Sequence, residues 1–175
     1  MKPVSVYMAK VLEPSFEESF YFSEGLAAVR KEEGLYGCID TKCRYVIKPI
    51  FMVAGDFVQG LAPASVDGKL FGFINKIGEW AIKPTFYDVE HFSEGFAIIH
   101  FPSGKNVERK AWGRRVKYKY IGGSFTEVTR RSFIDLNGRR IARQEFDDAL
   151  GFKDGMAAVK IKGKWGYLSV HPAEI

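Results

Sequence analysis

The sequence predicts an all-β protein made of tandem units of about 35 residues, and three observations carry that prediction. One phrase recurs, as Phe22-Ser23-Glu24-Gly25-Leu26-Ala27, Phe57-Val58-Gln59-Gly60-Leu61-Ala62, Phe92-Ser93-Glu94-Gly95-Phe96-Ala97 and Phe152-Lys153-Asp154-Gly155-Met156-Ala157, at offsets of 35, 35 and 60 residues. Between the copies run short stretches of alternating polarity divided by turn residues, the signature of strands rather than helices. The 18 glycines and the 15% aromatic content suit a turn-rich β protein.

Each element of a unit can be read from the second copy. Leu61 to Val66 alternates as a first strand, Asp67-Gly68 has the composition of a two-residue hairpin turn, and Leu70 to Asn75 is the second strand. Asn75-Lys76-Ile77-Gly78 is a turn in which the Asn side chain bonds its own backbone and the Gly takes a positive φ. Glu79 to Lys83 is the third strand, with Pro84 expected to end it. The same turn recurs at Asp40-Thr41-Lys42-Cys43 and Asp135-Leu136-Asn137-Gly138, so Cys43 stands where its siblings carry Gly. Gly25, Gly60, Gly95 and Gly155 are expected either to take positive φ or to be pressed against a neighbouring strand.

Three short strands cannot bury an apolar face alone, so the units must stack. The reading is one domain over 1–175, with units near 22–56, 57–91, 92–151 and 152–169, the segment 11–21 adding a split part. The expected arrangement is an open stacked array. The alternative is a closed four-unit barrel or propeller-like ring, because Val11-Leu12-Glu13-Pro14 could supply the third strand for Met156 to Ile161 and Lys164 to Ser169.

The last unit, with Phe152 to Val159 followed by Gly163-Lys164-Trp165-Gly166-Tyr167-Leu168, resembles the WG repeat, also called the KWG repeat, of bacterial proteins. Tyr36-Gly37-Cys38-Ile39-Asp40 and Phe71-Gly72-Phe73-Ile74-Asn75 occupy the Trp-Gly positions of earlier copies. In the third unit that place falls to either Trp112-Gly113 or Ser132-Phe133. The resemblance spans roughly residues 11 to 169. It implies an all-β repeat array, a bacterial setting and a role in protein interaction, with no catalytic residues to carry over.

The chain is long enough to bury a core without staples. Cys38 and Cys43 are too few for a disulfide framework or a zinc site, and are expected as reduced thiols, a bridge between them being the lesser alternative. The apolar run Val4 to Ala9 is too short for a secretory signal, and no stretch has the length of a membrane span, so the expected compartment is the cytoplasm. Phosphate-binding glycine loops, the GxSxG elbow and HExxH are all missing. His91, His100 and His171 read as surface or linker residues. The recurring carboxylates Glu24, Glu94 and Asp154, and Asp40 and Asp135, are better explained as turn formers than as an acid/base pair, since catalysis needs such a pair once and not in every copy. The repeat aromatics, Trp80 and Trp165 among them, are expected in the core layers rather than along a ligand groove. No enzyme activity, cofactor or metal is expected.

One segment carries a separate signal. Residues 100 to 131 hold Lys105, Arg109, Lys110, Arg114, Arg115, Lys117, Lys119, Arg130 and Arg131 against Glu108 and Glu127, a local charge of 9 − 2 = +7 in a chain of net +5, so the remainder sums to −2. Arg115, Lys117 and Lys119 alternate with Val116, Tyr118 and Tyr120, which on a strand separates cations from aromatic groups. Ile121-Gly122-Gly123-Ser124 is expected as the turn of a hairpin returning through Phe125 to Ile134. The candidate binding residues are Arg109, Lys110, Trp112, Arg114, Arg115, Lys117, Tyr118, Lys119 and Tyr120. The bland alternative is a solvated hairpin whose charge discourages edge pairing. The function expected is a non-catalytic binding module for a protein with an acidic surface, one version of it by family analogy being an immunity-like neutralising protein. The alternative is a nucleic-acid or polyanion binder.

Overall fold

The computed structural model describes residues 15–31, 34–102, 107–112, 115–120 and 129–171. Among them every regular element is a strand. The first sheet joins β1 (Glu18–Ser19), β2 (Leu26–Arg30), β3 (Tyr36–Asp40) and β4 (Tyr45–Phe51) in that order, all antiparallel. The second repeats it with β5 (Val53–Ala54), β6 (Ala62–Ser65), β7 (Phe71–Ile74) and β8 (Trp80–Phe86). The third contains β9 (Asp88–Val89) and β10 (Phe96–Pro102); β11 (Val107–Trp112) and β12 (Arg115–Tyr120) leave it as a separate ribbon before β13 (Thr129–Asp135) returns beside β10. The fourth holds β14 (Asp148–Ala149), β15 (Met156–Ile161) and β16 (Lys164–Ser169). A two-residue leading strand thus precedes the expected three, and hydrogen bonding groups each unit from that strand onward.

The recurring phrase is a tight turn. Glu24, Gln59, Glu94 and Asp154 have φ of 50–54°, and the glycines after them 75–88°. Positive φ at both central residues, with Ser23 and Leu26 exchanging backbone bonds of 2.9 and 3.1 Å, is the two-residue hairpin geometry that matches strand twist. A Cβ on any of these four glycines would meet open space, so the need is conformational and not one of close approach.

Close approach belongs to Gly37 and Gly72. A Cβ on Gly72 would lie 2.3 Å from the Ile82 carbonyl oxygen and 2.7 Å from Pro84 N. The fourth strand crosses here, and its register shifts between Phe71 and Phe73. Pro84 therefore lies within β8 and not at its end, since the irregularity relieves it of a ladder donor. Asp67-Gly68 also departs from expectation. The connection between β6 and β7 runs from Val66 to Leu70, and the Asp67 carboxylate closes it by accepting the N–H groups of Lys69 and Leu70. The Asn75 turn forms as expected, with Oδ1 accepting from Ile77 and Glu79 and Gly78 at φ 85°.

The core lies between consecutive sheets. Leu26, Ala28, Cys38, Ile47 and Phe51 of the first meet Ala54, Phe57, Ala62, Ala64 and Ile74 of the second. Phe73 and Ile82 then meet Phe92, Ala97, Ile99 and Ile134. Ile98, Phe133 and Phe146 meet Ala149, Phe152, Ala157 and Val159. Alternation along each strand sends one residue set to the preceding unit and the other to the following one. At the front of the first sheet, Ala27, Val29 and Ile39 are covered by Phe16. The sheets form an open array and none is closed into a barrel. Among the described residues no helix is long and apolar enough to cross a membrane.

Candidate functional site

The basic insertion folds differently from its expected form. β12 pairs with β11, not with the segment after Ile121-Gly122-Gly123-Ser124, and β13 pairs with β10. The reason is the competition for β13. Opposite β10 it extends the array sheet over seven residue pairs and buries Phe133 and Ile134, whereas opposite β12 it would leave that apolar pair in water. Residues 121–128 lie outside the described residues.

Two residues, Gly113 and Arg114, separate the paired strands, with Trp112 opposite Arg115. Further along, Lys110 is opposite Lys117, Glu108 opposite Lys119, Arg109 opposite Tyr118 and Val107 opposite Tyr120. Directly opposed residues share a face. One face of the ribbon therefore carries Glu108, Lys110, Trp112, Arg115, Lys117 and Lys119. The other carries Val107, Arg109, Ala111, Val116, Tyr118 and Tyr120. Four of the nine candidates, with Trp112, thus share the cationic face, while Arg109, Tyr118 and Tyr120 lie on the opposite one. Arg114 lies outside the described residues.

Arg130 and Arg131 do not belong to this ribbon. On β13, Arg130 is ion-paired with Asp147 and Arg131 with Asp148, and Arg131 Nη1 also donates to the Ala149 carbonyl at 2.9 Å. They clamp the third unit to the fourth, so part of the +7 counted over 100–131 is structural.

The other polar residues serve the stack. The Glu24 carboxylate accepts from Gly60 N (3.0 Å), Gln59 Oε1 from Gly95 N (2.9 Å), and Glu94 from both Asp154 N and Gly155 N (2.8 and 2.9 Å). Each bond crosses a unit boundary. Ser23 and Ser93 donate across the same boundaries to the carbonyls of Phe57 and Phe152. Lys76, reaching Glu24 from the second unit, is the first cause holding that carboxyl below its ordinary value. A cleft of about 350 Å³ is lined by Glu94, Phe96, Phe152, Gly155, Val170 and His171, but both Glu94 oxygens are engaged by backbone.

His100 is buried, contrary to its sequence reading, with Nε2 3.1 Å from Glu90 Oε1. It sits on β10 in the column of Arg30, Ser65 and Lys160, opposite the leading strand, and that register was its available signal. Trp80 packs edge-on against Phe51 as a core aromatic should. Trp165 does not, being 51% exposed on β16. No group of three metal-ligating side chains occurs among the described residues.

A model of the WG-containing repeat matches residues 10–34, 36–69, 71–99 and 132–165. The chain belongs to the WG-repeat family. The matches skip 100–131 and resume at Ser132, so the third unit's Trp-Gly place is Arg131-Ser132, and Trp112-Gly113 belongs to the insertion. No curated protein matches the chain at a significant level. Among solved structures it is similar to the computationally designed Ika8 protein, with 11% identity over 86% of this chain and 57% of that one, at a TM-score of 0.35. This WG-repeat chain thus spans little more than half of the designed protein's length.

Proposed function

We infer that this WG-repeat protein is a non-catalytic binding module and that the β11–β12 ribbon is its ligand-contacting part, taking a protein partner with an acidic surface. The observation that supports this most is the ribbon's register. It sets Lys110 directly opposite Lys117 and adds Arg115 and Lys119 to the same face, on a sheet of only two strands. Like charges directly opposite one another destabilise a ribbon, so the arrangement costs the isolated chain free energy that an anionic partner would recover. The recurring carboxylates Glu24 and Glu94 are engaged in backbone caps across unit boundaries, which favours a structural role for them.

A nucleic acid is the less favoured ligand. Base stacking would call on Tyr118 and Tyr120, and the register sets both on the face opposite the cations. The test replaces Lys110, Arg115, Lys117 and Lys119 with Gln and measures binding of polyglutamate and of a DNA duplex at rising salt. Salt-sensitive retention of polyglutamate that the substitutions abolish is the expected result. A duplex bound far more tightly than polyglutamate would favour the polyanion reading instead, with a salt slope that flattens on neutralisation.

A further inference from the structure

In three units the second long strand is covered on its outer side by a Phe-bearing segment. Tyr36 pairs with Phe51, Phe71 with Phe86, and Arg131 with Phe146 through reciprocal backbone bonds of 2.9 and 2.8 Å. In the fourth unit the corresponding residue is Trp165, on the edge strand β16, and no described strand lies beyond it. Trp165 and Tyr167 are 51% and 77% exposed, whereas Phe73 and Phe133, which match Tyr167 in register, are fully buried. Gly166 shows the same vacancy. A Cβ there would meet nothing within 4 Å, although Gly37 and Gly72 are crossed by the fourth strand at 2.6 and 2.3 Å.

The sequence of a covering strand occurs once more, at the other end of the array. Val11-Leu12-Glu13-Pro14-Ser15-Phe16 lies 35 residues before Val46-Ile47-Lys48-Pro49-Ile50-Phe51, and the family match begins at residue 10. Phe16 already stands where such a strand would put it. It packs on Ala27, Val29 and Ile39 at the front of the first sheet, as Phe51 packs into the cluster at the front of the second. The front of the first sheet is thus preceded in sequence by the pattern of a fourth strand, while the fourth sheet, among the described residues, has its other strands and none covering β16. Within one chain three sheet interfaces separate them and the array is open.

We propose that the fourth sheet takes as its covering strand the segment Val11–Phe16 of a second copy of the chain. Docking sets Leu12 of one copy in the column of Ile47 and Ile82, both buried, and brings Phe16 beside Trp165 of the other. An unpaired strand edge is the template for such addition, and head-to-tail exchange leaves no free edge on β16 where the rotation between copies closes a ring, of which the two-fold dimer is the smallest.

The experiment is sedimentation of the 175-residue chain against two variants. Gly166→Val fills the vacancy, which is open in the single chain but would be occupied by the incoming backbone, and Leu12→Asp spoils the donor strand. The wild type is expected to sediment as a dimer and each variant alone as a monomer with unchanged far-ultraviolet circular dichroism. Mixed one to one, the variants should restore a dimer, because each retains the half the other has lost. A monomeric wild type overturns the proposal, whether or not the segment folds back on its own β16. So does a dimer that survives Gly166→Val, or a mixture of folded variants that stays monomeric.

Discussion

The Glu24 carboxylate accepts the backbone N–H of Gly60 at 3.0 Å across the boundary between the first two units. The equivalent residue in the next unit, Gln59, makes the same bond to Gly95 without a charge. The ladder therefore needs an acceptor oxygen, and the charge of Glu24 serves a second contact, the Lys76 ammonium at 3.0 Å. Since the folded-state pKa of Glu24 is lowered, first by Lys76, its contribution is present above the unfolded value of 4.5 and is lost as pH falls through the folded one. Glu24→Gln should fold normally and lose less than about 1 kcal/mol at neutral pH, as for an exposed ion pair. Its stability should also fall less steeply on acidification below pH 4.5, as read by urea unfolding at several pH values.

Glycines of the two repeated kinds should respond differently to substitution. Gly60 sits at φ 81° in open space, so Gly60→Ala strains only its own backbone and should cost roughly 1 to 2 kcal/mol. Gly72→Ala places a methyl group against the backbone of Ile82 and Pro84, where nothing flexible can yield. It should cost roughly 2 to 4 kcal/mol. Thermal or urea denaturation that ranks them in the opposite order would remove the crossing strand from the account.

What could be read from the sequence and what could not divides along a physical line. The positive-φ turns were legible because a local backbone conformation selects its residue wherever it recurs, as at Gly25 and Gly78. Pro84 inside β8 was not, since its tolerance depends on a register shift against another strand. Ile121-Gly122-Gly123-Ser124 has local turn composition, yet the choice of partner for β13 is decided by the apolar set it buries against β10. Within the candidate site, the alternation of Arg115, Lys117 and Lys119 was legible. The addition of Lys110 to their face was not, because it follows from pairing across Gly113 and Arg114.

The two cysteines should be distinguishable by a thiol reagent. Cys38 is fully buried, and loss of solvation pushes its thiol up to about 11, while Cys43 is exposed. At pH 8 one thiol per folded chain should react quickly and the second only on unfolding. Cys43 also holds φ at 57° where Gly78 and Gly138 stand in later units. Those two glycines face Ile47 and Ile82 of the preceding unit at 2.9 Å from a would-be Cβ. Cys43→Gly should relieve backbone strain and stabilise by about 1 kcal/mol, measured by denaturant unfolding. A loss of stability would mean the Cys side chain contributes contacts that outweigh its strain.

The insertion should be removable without unfolding the array. Phe101 and Arg130 are partners near the end of the β10–β13 ladder, in the hydrogen-bonded register, because Ile98 and Phe133 turn their carbonyls to Glu90 and Ile141 on the outer sides. A two-residue Asn-Gly turn in place of 102–129 would therefore close the ladder with the geometry that such ladders favour. The excision must stop before Arg130 and Arg131, whose ion pairs with Asp147 and Asp148 hold the fourth unit. A shorter loop lowers the entropy cost of closure, and among the described strands the ribbon pairs only with itself, so stability should change by no more than about 1 kcal/mol. An excised protein that retains β-type circular dichroism and cooperative unfolding but no longer binds polyglutamate would assign binding to the ribbon. An excised protein that binds as before would move the binding surface onto the repeats, where the exposed aromatics are Tyr21, Phe22, Tyr45, Tyr87, Trp165 and Tyr167. Excision that costs more than about 3 kcal/mol would instead show that the ribbon packs on the array, since loop shortening alone cannot account for a change of that size.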